Sequence, residues 1–90
     1  MLSSQNIVGG KVLMAIITLS IRAGKEEEVL NQLRNRNYIM DLSMVYGVFD
    51  IIAKVKATDV NDLKSIKEDL EKISGITVKN LMIVREVLES

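Results

Sequence analysis

Hydrophobic positions along this chain switch between two spacings, and the switches divide it into six segments. From Val12 to Ile21 (VLMAIITLSI) the run is β-branched and apolar on both alternating faces. It is too short for a typical buried helix and predicts a central strand. One face carries Leu13, Ala15, Ile17, Leu19 and Ile21; the other carries Val12, Met14 and Ile16, then Thr18 and Ser20. Ala23-Gly24 turns the chain into a helix from about Lys25 to Arg36. Glu26, Glu27 and Glu28 occupy its first turn and Arg34 and Arg36 its last, as the helix dipole favours. Val29, Leu30 and Leu33 form its apolar stripe.

Period two returns from Tyr38 to Tyr46, with Met40, Leu42, Met44 and Tyr46 on one face and Asp41 and Ser43 on the other. Beyond Gly47 it continues from Phe49 to Lys56, where Phe49, Ile51, Ala53 and Val55 alternate with Asp50, Ile52, Lys54 and Lys56. Two such runs around one glycine predict a hairpin. Thr58-Asp59 opens a second helix, with Asp62 placed for a capping-box-like pair. Leu63, Ile66, Leu70 and Ile73 follow at helical spacing, and Glu68 is placed to pair with Lys64 or Lys72. Ser74-Gly75 stops this helix, Ile76 to Arg85 is a last strand, and Glu86 to Ser90 a short tail.

The order β-α-β-β-α-β predicts an α+β domain of the ferredoxin-like kind. Right-handed crossovers put the first and third strands in the centre of a four-stranded antiparallel sheet with two helices on one face. Residues 1–10 (MLSSQNIVGG) read as a flexible N-terminal arm, and 11–90 as one domain. The uncovered face would present Val12, Met14, Ile16, Ile52 and either Ile83 or Val84, beside Asp41, Ser43 and Lys54. A contiguous apolar patch of that kind is rarely left in water, so a sheet-on-sheet homodimer is expected, with Val12, Met14, Ile16 and Ile52 in its interface.

Composition narrows the function. Twelve basic and twelve acidic residues leave no net charge, which argues against autonomous nucleic-acid binding. The chain has no Cys and no His, so thiolate metal sites and the commonest general base are absent, and no cofactor or metal is expected. The longest apolar stretch falls well short of the roughly 20 residues that span a bilayer, and no signal segment is visible; a cytoplasmic protein without a membrane partner is expected.

The stretch from Gly24 to Val84 resembles the ligand-binding domain of Lrp/AsnC transcriptional regulators, the RAM module. The residues that carry the likeness are Ala23-Gly24-Lys25-Glu26-Glu27-Glu28-Val29, Tyr46-Gly47-Val48-Phe49-Asp50 and Ile73-Ser74-Gly75-Ile76. The resemblance implies a sheet-to-sheet dimer, rings of dimers with an even number of chains, and an amino-acid effector bound between dimers near the Gly-x-x-Asp hairpin. It assigns Gly47 and Asp50 to that site, with Phe49 in the usual aromatic place. This chain departs from the family at Tyr46, where Thr or Ser is common, at Val48, often polar, and at Lys79, Asn80 and Leu81 in the last strand. Such changes alter a pocket's size and polarity. The candidate ligand-binding set is Tyr46, Gly47, Val48, Phe49, Asp50, Lys79 and Leu81. The family usually carries a winged-helix DNA-binding domain before this module, and the ten residues ahead of the first strand are too few for one. A stand-alone module is therefore expected, partnered by itself or by a full-length Lrp/AsnC-type regulator.

Asp50 draws most interest, because Asp is disfavoured in strands. Its carboxylate either receives a ligand's ammonium or ties down its own hairpin. Gly47 either supplies a positive φ or lets another chain approach. Tyr46 stacks on a ligand or caps an interface. Two further functions stay in view. One is a purely structural assembly partner, motivated by the family departures. The other is an enzyme of the dimeric α/β-barrel kind, which shares the topology but would have to work without His or suitably spaced carboxylates.

Overall fold

A computed structural model of the chain describes residues 11–45, 47 and 50–88. The expected N-terminal arm and three of the candidate site residues, Tyr46, Val48 and Phe49, lie outside the described residues. The elements are β1 (Lys11–Ile21), α1 (Glu26–Arg34), β2 (Ile39–Val45), β3 (Asp50–Ala57), α2 (Val60–Glu71) and β4 (Ile76–Leu88). All strand pairs are antiparallel, in the order β2-β3-β1-β4, so the first and third strands are central as expected.

Period two decides which side chains go inside. Leu13, Ala15, Ile17, Leu19 and Ile21 from β1 and Ile51, Ala53, Val55 and Ala57 from β3 form the covered face. Val29 and Leu33 of α1, Leu63, Ile66 and Leu70 of α2, and Ile73 beyond it complete a single buried cluster, which puts both helices on that face. Burying aliphatic side chains of this size stabilises by roughly 1.5–3 kcal/mol each. The core is entirely aliphatic, as the composition requires.

Capping and turns fix the connections. The Asp59 carboxylate accepts from the Asp62 backbone N–H at 2.7 Å, capping α2. Asp62 in turn accepts from the Thr58 backbone N–H at 2.9 Å. The reciprocal pair therefore exists, with its return bond one residue earlier than a capping box would place it. Gly75 sits at φ +93, and a Cβ there would lie 3.0 Å from the Lys25 Cβ, so both conformation and space demand glycine. Its carbonyl accepts from the Arg22 N–H at 2.8 Å and joins the end of β1 to the start of β4.

Several expected details are corrected. The helices are shorter than their apolar spacing suggests, and Arg36 lies beyond α1. The last strand runs on to Leu88, which absorbs most of the expected tail. Glu68 forms no ion pair among the described residues; Lys67 and Glu71 pair instead, at 3.9 Å.

The larger corrections come from three bulges, each adding an unpaired residue that shifts the alternation by one. In β2 the extra residue is Met40, which is 52% exposed, while Ile39 takes the core-side place opposite Val55. In β4 the extra residues are Lys79 and Val84. Ile83 therefore faces the helix side opposite Ala15, Val84 falls in the bulge, and Met82 stands opposite Ile16 on the uncovered face. Met82 fills the position expected of Ile83 or Val84, and it is 55% exposed.

Candidate functional site

Pairing register lays out the uncovered face in rows. One row runs Asp41, Lys54, Ile16, Met82, and the next Ser43, Ile52, Thr18, Asn80. The last runs Val45, Asp50, Ser20, Thr77. Near the start of β1 the face carries Val12, Met14, Ile16 and Met82, with Lys54 and Lys56 beside Ile16 and Met14 on β3. Near its end the face turns polar, with Thr18, Ser20, Thr77 and Asn80 around Asp50.

Asp50 opens β3 and is the single buried polar or charged residue among those described. Its side chain is 12% exposed and accepts from the Lys79 ammonium at 2.9 Å. Lys79 comes from β4, and β1 lies between β4 and β3, so the lysine stem spans a whole strand to reach the carboxylate. The bulge makes this possible: the extra residue breaks the alternation and re-aims its side chain. Half of the Lys79 side chain remains in solvent. A charge-assisted bond of this kind outweighs a neutral one, and removing the lysine would leave a mostly buried carboxylate without a counter-ion.

A shallow cleft of about 310 Å³ lies beside this pair, lined by Ser20, Ile21, Arg22, Gly75, Ile76 and Thr77. Ser20 belongs both to the cleft wall and to the Asp50 row. The arrangement offers the Asp50 carboxylate, the Lys79 ammonium, the Arg22 guanidinium on the cleft wall and several neutral hydroxyl and amide groups. Such a set can receive a small zwitterion. Among the described residues no cluster of His, Cys, Asp or Glu could hold a metal ion. None of their helices is long and apolar enough to cross a membrane.

The structure brings together two members of the candidate set, Asp50 and Lys79. Gly47 is exposed at φ +99 with nothing within 4 Å of where a Cβ would sit, so within the chain its role is conformational. Leu81 stands opposite Ile17 on the helix side, where it packs against the core, and the thickness of the sheet separates it from Asp50. Val12, Met14, Ile16 and Ile52 share the uncovered face and are half-buried. The pairing of Asp50 with Lys79 had no signal in local spacing. The available hint was β1 itself, whose outer face changes from Val12, Met14 and Ile16 to Thr18 and Ser20.

A second ionic cluster lies at the other end of the sheet. Asp69 of α2 accepts from the Tyr38 hydroxyl and, at 3.0 Å, from Arg36 Nε. These bonds pull its pKa below the usual carboxylate range, the tyrosine bond contributing most. Burial, and then the bond to Asp69, pushes the Tyr38 phenol above its ordinary value. Arg36 Nη1 also reaches the Gln32 carbonyl at 3.2 Å. The cluster ties α2 to the segment joining α1 and β2, and its polar groups satisfy one another.

A family model described as the Lrp/AsnC ligand binding domain matches residues 14–90. The HTH-type transcriptional regulator FL11 of Pyrococcus abyssi is 28% identical over 75 residues, covering 83% of this chain and 50% of that protein. FL11 of Pyrococcus furiosus is 26% identical over 78 residues, covering 87% and 52%. The chain thus spans about half the length of the curated relatives it matches. Among solved structures, an FFRP protein superposes with a TM-score of 0.73 at 32% identity, covering 81% of this chain and 99% of that one. The crystal structure of MtbAldR superposes with a TM-score of 0.72 at 23% identity, covering 82% and 53%, a likeness of fold.

Proposed function

This chain belongs to the Lrp/AsnC ligand-binding domains of transcriptional regulators, a family of regulators and not of enzymes, and from that premise we propose that it is an effector-sensing and oligomerisation module whose effector is a small amino acid. The observation that carries this reading is the Asp50–Lys79 pair set in the polar end of the uncovered face. An amino acid presents both an ammonium and a carboxylate, and a site with the Asp50 carboxylate and the Arg22 guanidinium at the cleft offers a partner for each. Asp50 receives the ammonium. Thr18, Ser20, Thr77 and Asn80 surround the remainder of the ligand.

The other end of the same face pairs two copies through Val12, Met14, Ile16, Ile52 and Met82, with Lys54 and Lys56 among them. Two sheets packed face to face bury such side chains as a domain core does. Dimers then associate further into an even-numbered ring, with the Gly47 hairpin at the contacts between dimers. The same face fits its counterpart in a longer family member, so mixed assembly with a full-length regulator is part of the proposal. The site of action is the cytoplasm.

Native mass spectrometry of the chain, alone and with each amino acid in turn, tests this directly. An even-numbered oligomer whose distribution shifts with one amino acid is the expected result. Asp50→Ala should abolish the shift and leave the far-ultraviolet circular dichroism intact. An assembly indifferent to every amino acid would favour the structural-partner reading, and undiminished response in Asp50→Ala would remove Asp50 from the site.

A further inference from the structure

Asp50 already holds an ammonium group, and it belongs to the chain itself. We propose that Lys79 is a tethered occupant of the Asp50 site: its ammonium takes the position at which the carboxylate would receive a ligand's ammonium, so a ligand binds by displacing it. The inference rests on the reading of Asp50 as an ammonium-receiving carboxylate and adds the residue that sets the threshold for binding.

Three observations carry it. The Asp50 carboxylate is nearly covered, and among the described residues the cation paired with it is Lys79, at 2.9 Å. Lys79 is delivered by a bulge, so the strand departs from regular pairing at the residue that makes this contact. Lys79 is also half in solvent, unlike a sealed ion pair. Its stem can swing away without opening the core, which lies on the other side of the sheet. Here the carboxylate is buried and the ammonium that pairs with it is half in solvent.

The consequence for selectivity is quantitative. A group on a short flexible tether competes at an effective concentration of about millimolar. A free ligand meets a site that is receptive for only a fraction of the time, and its apparent dissociation constant rises by the inverse of that fraction. The ligand class is therefore a primary ammonium compound with enough further contacts to Thr18, Ser20, Thr77 or Asn80 to outcompete the tethered amine.

The test uses methylammonium chloride as an ammonium probe with no carboxylate. It is titrated at constant ionic strength into the isotopically labelled chain and into Lys79→Met, following the Asp50 backbone amide by NMR. Methionine keeps the aliphatic stem; Lys79→Gln serves as the second variant, with circular dichroism as the check on folding. The expected result is a half-maximal shift at a concentration lower by about tenfold or more in the variants, as removal of a well-populated internal competitor requires. Equal or higher concentrations in the variants would overturn the proposal, as would the lack of any Asp50 response in all three chains. Alanine titrated in parallel reports on the amino-acid reading separately. If methylammonium separates the chains while alanine shifts none, the tethered occupant stands and the amino-acid effector falls.

Discussion

The two faces of this sheet are built from the same four strands and solve opposite problems. On the helix side Ala15, Ile17 and Leu19 of β1 and Ile51, Ala53 and Val55 of β3 are completely buried, and no polar side chain is among them. On the other side, the residues between them in sequence are half-buried or exposed. They change character along β1 from Val12, Met14 and Ile16 to Thr18 and Ser20. The first face is finished within one chain; the second is the one on which we propose the dimer contact and the effector site. Stability should therefore be concentrated on one face and recognition on the other, and mutations can separate them.

The largest effect is expected on the covered face. Ile17→Ala removes a fully buried side chain from the central strand, beneath the helices, and should cost about 2–5 kcal/mol. Urea denaturation at fixed protein concentration measures it. A loss below about 1 kcal/mol would mean that the core relaxes around the deletion, and the contrast between faces would blur.

One residue away, Ile16→Glu should act differently. Ile16 faces outward opposite Met82 on β4 and Lys54 on β3, so a carboxylate there stays hydrated in a lone chain. In a two-fold dimer the change enters twice, and losing two aliphatic contacts weakens association by roughly 3 kcal/mol or more. Sedimentation velocity should show the proposed even-numbered assembly collapsing to monomer, with circular dichroism preserved. An assembly that keeps its size would show that the uncovered face is not the interface.

The difference between the faces also explains what could be read in advance. Alternation identified nearly every core residue, because burial on one side enforces period two wherever pairing is regular. It failed at Met40 and left Ile83 and Val84 undecided, at bulges where one added residue reverses the alternation beyond it. Nothing local marks such a residue, since the bulge is set by two strands together. Asp50 was legible as an anomaly, a carboxylate in an otherwise apolar strand start. Lys79 entered the candidate set through the family resemblance, but its pairing with Asp50 was not legible, because 29 residues and a neighbouring strand separate them. The Tyr38–Asp69–Arg36 cluster was missed for the same reason; in sequence, Asp69 reads as one of several charges on the solvent side of α2.

Effects at the helix boundaries should be smaller than those on either face. Asp59→Ala removes the side chain that caps α2 and should cost about 1 kcal/mol. Asp59→Asn keeps an oxygen that can accept from the Asp62 N–H, so most of that loss should be recovered. Equal losses in the two variants would point to the charge of Asp59, and not to its hydrogen bond, as the source of stability.

The smallest effect should come from the Tyr38–Asp69–Arg36 cluster, and pH should expose it. The folded state holds the Asp69 carboxyl below its usual range, chiefly through the Tyr38 hydroxyl and then Arg36. A lowered carboxylate pKa contributes stability that is complete above the unfolded value, near about 4, and is lost as pH falls through the folded value. The Asp69 side chain is 41% exposed, so screening by water limits its contribution to a fraction of about 1 kcal/mol. Asp69→Asn should therefore lower stability slightly at pH 7 and flatten the decline toward acid. Tyr38 works in the opposite direction. Its raised pKa means stability present below the unfolded phenol value, near about 10, and falling as pH rises beyond it. Tyr38→Phe should remove that alkaline decline while leaving the sheet pairing unchanged. Urea midpoints measured from acid to alkaline pH on the three chains check both limbs. If Asp69→Asn keeps the full acid decline, the Asp69 carboxylate is not its source.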